Sequence, residues 1–395
     1  MRLERTVAGN REGNGDGGSS GRAVDIRGLR IGRPGGDGEA ASRWHERLHE
    51  RWRRLGVDHL VELREDGGTL AGRLTADAAR RLAPANDTLQ LAARLVDQGD
   101  AANDDDALER EIVLAMLAAP HGFDYPSHDE FAAAVRIRQH IASAAGKTAL
   151  CFDTRALERP ACCWTYAEDT GFTLLPGQPL IPSLKKATQP EVSGKCYAFS
   201  CYRATEYVIL LGIAEALQEF NPELLQRLQR QWETRAIMSG RFHETFLHEY
   251  GSMASPLPAN YYIPGDRVWF RNPDPHSSDA PGYEGSWVIY LGGGLFTNFW
   301  KCAQPYTLHD KCLELYHWRH ATWRDAAGEL QIDETEVEER VRRTRENPEE
   351  SAAILAAMLR YRDPQGVYAG GGCIDSTREC PRRICPGTAE IVLPS

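Results

Sequence analysis

Lysine is nearly missing from this chain, with six residues against 40 arginines. High-GC codon usage accounts for that ratio with no functional content. No stretch approaches the roughly 18 apolar residues that a membrane span requires. The opening MRLERTVAGNREGNGDGG has no apolar centre of the kind a signal peptide carries. The expectation is therefore a cytoplasmic protein with no membrane partner. Cysteine is too sparse for a disulfide framework, at ten in 395 residues, and reduced thiols are expected. Adjacent Cys162 and Cys163 suit packing. Cys373, Cys380 and Cys385 lack a C-x-x-C pair and read as coil. Cys302, His309, Cys312 and His317 are ligand types, yet Leu308, Leu313 and Leu315 around them describe an ordinary packed helix. Neither a metal nor a cofactor is expected. A net charge of -10 argues against a molecule built to neutralise phosphates, so nucleic acid is not an expected partner.

What is present is ordinary for a folded protein: 42% hydrophobic and 26% charged residues, enough for one large domain or two smaller ones. Residues 1–40 are Gly-rich with almost no clustered aliphatics, and read as a disordered tail. The first 54 residues hold 12 Arg against 8 acidic residues, which fits a solvating tail. From Ser42 to Val96 the chain reads helical, with Trp44, Leu48 and Trp52 four apart. Further helices are expected from Asp104 to Leu117, ended by Pro120-His121-Gly122, and from Asp129 to Ala145, capped by Ser127 or Asp129. After Thr148 short strand-like runs alternate with turns. A long apolar helix covers Tyr207–Phe220, and Asn221-Pro222-Glu223 opens the next. Strands are expected at Arg267–Phe270, Trp287–Leu291 and Leu295–Trp300. Charged helices at about Glu334–Arg345 and Pro348–Arg360 precede a Gly/Cys/Pro-rich tail, and no internal repeat is apparent.

Cys201 is the leading chemical candidate. It stands where an irregular segment enters a buried helix, so first-turn N–H groups and the positive helix end face its sulfur. Both features favour a thiolate, and the same N–H groups suit a developing oxyanion. A buried structural cysteine is the alternative at that position.

The stretches Pro264-Gly265-Asp266-Arg267-Val268-Trp269-Phe270 and Trp287-Val288-Ile289-Tyr290-Leu291-Gly292-Gly293-Gly294 resemble the paired strands of the papain-like NlpC/P60 superfamily. A closer resemblance covers Phe131 to Arg319. Tyr197-Ala198-Phe199-Ser200-Cys201, Val268-Trp269-Phe270-Arg271-Asn272-Pro273 and Gly285-Ser286-Trp287-Val288-Ile289-Tyr290-Leu291-Gly292 are similar to the small bacterial protein-glutamine gamma-glutamyltransferases of spore-coat cross-linking. Val135-Arg136-Ile137-Arg138 and Trp164-Thr165-Tyr166 fit that family in order and spacing.

The resemblance implies an α+β fold in which a cysteine-bearing helix packs on a small antiparallel sheet. It also implies an accessory helical region at 41–125, a catalytic domain at 126–320 and a helical extension with a tail at 321–395. In that family a cysteine thiolate takes the acyl group of a protein glutamine and passes it to a lysine, so the implied partners are glutamine- and lysine-bearing proteins. Few lysines of its own would suit such an enzyme. The family's glutamates fall on Ser200 and Ser286, and its second polar slot on Asn298. A serine is a poor general base. Glu284, two residues before Ser286, would share its face if the strand already runs there, although a solvated loop carboxylate is equally consistent. Asn298 either orients a partner or caps a strand end. His243, His248, His309, His317 and His320 are further candidates, each expected at the surface or packed. An amide hydrolase on the same thioester and an inactive papain-like binding module are the competing functions.

Overall fold

A computed structural model describes residues 27–32, 38–66, 68–97, 104–153, 157–363 and 370–394. The continuous apolar run Trp287–Leu291 makes Gly285–Gly292 (GSWVIYLG) a central strand covered on both faces, and Arg267–Arg271 (RVWFR) pairs with it antiparallel. The register sets Trp269 opposite Trp287 and Phe270 opposite Ser286. Side chains alternate along each strand, so these pairs occupy opposite faces. Ile289 packs into a core shared with the helices His128–Gly146 and Cys201–Phe220. Val268, Phe270, Val288 and Tyr290 pack on the other side with the helices Leu308–His317, Glu334–Arg345 and Pro348–Met358.

Six strands form this sheet, in the order Tyr306–Thr307, Leu295–Phe296, Gly285–Gly292, Arg267–Arg271, Arg378–Pro381, Leu247–Tyr250, all antiparallel. The result is a mixed α+β protein. The C-terminal segment read as coil instead inserts Arg378–Pro381 between two sheet strands, where backbone pairing with Leu247–Tyr250 satisfies its polar groups.

The helix Cys201–Phe220 is apolar nearly all round, as its burial between sheet and helices demands. It crosses His128–Gly146 at Gly212, where a Cβ would lie 2.5 Å from the Ile141 side chain and 2.8 Å from its backbone nitrogen. Only glycine permits that approach.

The front region departs from its expected helical character. Val61–Asp66 and Thr69–Leu74 form a hairpin, and with Gly28–Gly32 and Gly122–Tyr125 they build a four-stranded sheet. Gly28–Gly32 lies within the stretch expected to be disordered, yet Leu29 and Ile31 are each only 1% exposed. Two alternating aliphatics suffice there because neighbours on both edges, Thr69–Leu74 and Gly122–Tyr125, supply the hydrogen bonds. Gly38–Ala40, also in that stretch, opens the helix Gly38–Arg54, and 1–26 and 33–37 lie outside the described residues.

Candidate active site

Cys201 is the first residue of its helix. Ser200 caps it, its hydroxyl accepting from the Arg203 N–H at 3.4 Å. The two-residue strand Ala198–Phe199 runs parallel to Cys151–Phe152 and delivers the chain to that cap. The sulfur faces the backbone N–H groups of Tyr202, in its own first turn, and of Trp287, in the central strand. Trp287 is available because the edge of its strand is open there. The neighbour Leu295–Phe296 pairs only from Tyr290 onward, and the Ile289 N–H is met by the Thr297 hydroxyl at 3.0 Å. The open edge leaves the Trp287 N–H turned toward the sulfur, where it favours the thiolate.

The expectation of a low thiol pKa does not hold. Burial pushes the Cys201 thiol above its ordinary value, because taking the site out of water disfavours the charged form. The two N–H groups and then the Lys311 ammonium pull the other way without prevailing, and Glu284 adds to the rise.

Lys311 was overlooked by motif reading. It is 2% exposed, bonds Glu314 at 2.6 Å and lies 3.6 Å from the Tyr306 ring centroid. A signal existed: Leu308, Lys311 and Leu315 share the three- and four-residue spacing of one helix face, which places this lysine on the packed side.

The other candidates are distributed as follows. Glu284 is exposed at the mouth of the central strand, its carbonyl accepting from the Asn272 N–H at 3.1 Å, and its charge acts on Cys201. Ser286 is half-buried, on the sheet face opposite the Trp287 side chain. Asn298 is buried and spends its amide on a turn: Nδ2 donates to the Gln304 carbonyl and Oδ1 accepts from Lys301 N–H, both at 3.1 Å. These two bonds close the turn from Asn298 to Gln304. His243 pairs with Glu379 at 3.0 Å, His248 with Glu390 at 2.7 Å, and His317 with the Thr344 hydroxyl at 2.8 Å. Burial pulls His317 down to about 4, while Glu379 pushes His243 up. His309 and His320 are exposed. Among the described residues no three His, Cys, Asp or Glu side chains gather as a metal site.

A cavity of about 410 Å³ adjoins this region, with Asn298, Trp300, Tyr306, Glu314, Trp318 and Glu334 among its walls. Lys311 links it to the cysteine, bonding Glu314 on the wall while acting on the sulfur.

The sequence signature of protein-glutamine gamma-glutamyltransferase spans residues 89–376, which contain Cys201, Glu284, Ser286, Trp287, Asn298 and Lys311. The chain belongs to the protein-glutamine gamma-glutamyltransferase family. It is similar to the protein-glutamine gamma-glutamyltransferase of Halalkalibacterium halodurans, 24% identical over 221 residues, covering 53% of this chain and 70% of that one. The enzyme of the same name from Bacillus licheniformis is 26% identical over 196 residues, covering 48% and 71%. A solved transglutaminase from Geobacillus stearothermophilus, without its C-terminal extension, aligns with a TM-score of 0.37 at 19% identity, covering 54% of this chain and 98% of that one. As a protein-glutamine gamma-glutamyltransferase relative, the chain is of the transferase class that acts on protein substrates. No helix among the described residues is long and apolar enough to cross a membrane.

Proposed function

We propose that Cys201 is the nucleophile of a protein-glutamine acyltransferase with a papain-like core. The observation that carries this reading is the sulfur's position, at a helix start and opposite the open-edge N–H of Trp287. The thiolate attacks the side-chain carboxamide of a protein glutamine, and the carbonyl oxygen becomes an oxyanion that N–H groups facing the site can stabilise. Collapse of that intermediate breaks the C–N bond, and the nitrogen leaves as ammonia after taking a proton. A lysine amine then attacks the thioester carbon, the C–S bond breaks, and the amine's proton is lost as the thiolate returns. A thioester suits both halves, since sulfur attacks well near neutral pH and leaves well.

With serine at 200 and 286, the structure offers Glu284 as the carboxylate closest in influence to the thiol and Lys311 as the opposing cation. The test is incorporation of a fluorescent primary amine into a glutamine-bearing protein, with ammonia release followed in parallel, by wild type and Cys201→Ala. Both signals should vanish in Cys201→Ala. Turnover by Cys201→Ala would sink the assignment. Ammonia release without amine incorporation would make the chain a deamidase, and silence from wild type on both counts would favour a binding module.

A further inference from the structure

The two N–H groups facing the sulfur belong to different elements, a helix turn and a strand edge, and one buried side chain lies between the residues that carry them. Arg267, at the start of the neighbouring strand, is 1% exposed. Its guanidinium carbon lies 4.3 Å from the Tyr202 ring centroid and 4.2 Å from that of Trp287. The two rings themselves meet edge to face at 5.4 Å. Trp287 also stacks on Trp269 across the strand pair, with centroids 5.8 Å apart. We propose that Arg267 is the positioning residue of the active site, clamping Tyr202 and Trp287 so that their backbone N–H groups converge on the Cys201 sulfur.

The chemistry of the clamp requires arginine. A planar, delocalised cation can lie against two aromatic rings at once, whereas the compact ammonium of lysine serves one. Burying the charge needs counterions, and they are present. Glu379 accepts from Arg267 Nη1 at 3.1 Å and meets His243 Nδ1 at 3.0 Å through its other oxygen. Glu206, one turn along the Cys201 helix, acts on Arg267 as well. It is itself fixed by Arg203 at 2.6 Å and by the Ser239 N–H at 2.6 Å. Ser239 holds φ 59°, a left-handed conformation that is costly for serine and tolerable where surrounding bonds impose it. Glu379 comes from the inserted strand Arg378–Pro381, so the C-terminal segment reaches the nucleophile through Arg267.

This inference rests on Cys201 being the reacting group, and its test reads the thiol directly, so it stands or falls apart from acyl transfer. Iodoacetamide alkylation of full-length protein, followed across pH by mass spectrometry of the Cys201 peptide, gives that thiol's midpoint among the ten cysteines. Arg267→Lys keeps the charge and removes the double contact. Trp287→Leu removes one ring and keeps the backbone N–H. Each should raise the midpoint by about half a pH unit, roughly threefold less thiolate at a fixed lower pH. Trp287→Phe, which retains an aromatic face, should recover most of the shift. Arg267→Lys and Trp287→Leu titrating as wild type, with native circular dichroism, would overturn the proposal, as would Trp287→Phe shifting as far as Trp287→Leu. Should Arg267→Lys fail to fold, the half-buried Trp287 pair carries the test alone.

Discussion

Two ionisable groups sit at the two ends of one strand pair, Asp266 fully buried and Cys201 half-buried, and the protein treats them oppositely. At the end near Tyr290, Asp266 is 0% exposed with both oxygens occupied. Oδ1 accepts from Arg138 Nη1 at 2.6 Å, and Oδ2 accepts from the Ile263 N–H at 2.8 Å and from the Tyr250 hydroxyl. Arg138 also donates to the Pro264 carbonyl at 3.3 Å. At the end near Gly285, the two N–H groups and the Lys311 ammonium that favour the Cys201 thiolate do not together offset its loss of water. A buried charge whose partners are complete is architecture. A half-buried nucleophile whose partners fall short gains its missing stabilisation as charge moves onto the substrate, which is where donors accelerate a reaction.

Breaking the saturated end should have the largest effect on stability. Arg138→Met leaves Asp266 buried without its cation, and removal of one partner of such a pair typically costs about 3–5 kcal/mol. Cys201→Ala deletes one small side chain and should stay within about 1–2 kcal/mol. Urea unfolding of both variants beside wild type checks the contrast. Equal losses would mean that the two ends are built alike.

The two ends were also unequally legible in the sequence. The helices at 104–117, 128–146, 222–234 and 334–345 follow from periodicity, caps and first-turn prolines, because those signals are local. The Cys201 helix shows in the apolar run from Tyr207 to Phe220, and the strands around Trp287 show as apolar stretches set between turn residues. The front hairpin has a signal of its own, since Val61-Glu62-Leu63-Arg64 alternates with period two, but the strong helical spacing of Trp44, Leu48 and Trp52 just before it masks that pattern. Gly28–Gly32 and Arg378–Pro381 carry too few apolar residues to announce themselves, since their place is fixed by neighbours remote in the chain. Lys311, Arg267 and the open edge at Trp287 act on the site through tertiary contacts, which no spacing rule displays. Asn298 occupies a family slot in order, but its amide is committed to the turn that ends in Gln304.

A gain of function sharpens the comparison from the deficient side. Ser286 precedes Trp287 in the central strand, with its side chain on the opposite face, at the position the resemblance assigns to the family's glutamate. Ser286→Glu should raise the rate of amine incorporation, about tenfold being the lower end of what a positioned general base contributes. No gain, together with no loss in Glu284→Gln, would show that neither position supplies the base.

The smallest expected effect is the most diagnostic, and it concerns pH. The active form is the thiolate, and burial holds the Cys201 thiol above its ordinary value. Activity should therefore climb as pH rises, in a single limb whose midpoint lies above that of an ordinary cysteine. A histidine acting as acid after the cysteine ionises would add a falling limb. None of the histidines is among the groups that act most strongly on Cys201, and three of them are tied to Glu379, Glu390 and Thr344. Glu284 pushes the thiol upward as a neighbouring negative charge, so Glu284→Gln should move the limb to lower pH. Because Glu284 is exposed, screening limits that move to a few tenths of a pH unit, the scale of a surface charge pair. If Glu284 instead takes the proton of the attacking thiol, Glu284→Gln lowers activity across the whole range and leaves no displaced limb. A bell that persists in Glu284→Gln would remove the carboxylate from consideration and return the search to His243, His248, His309, His317 and His320.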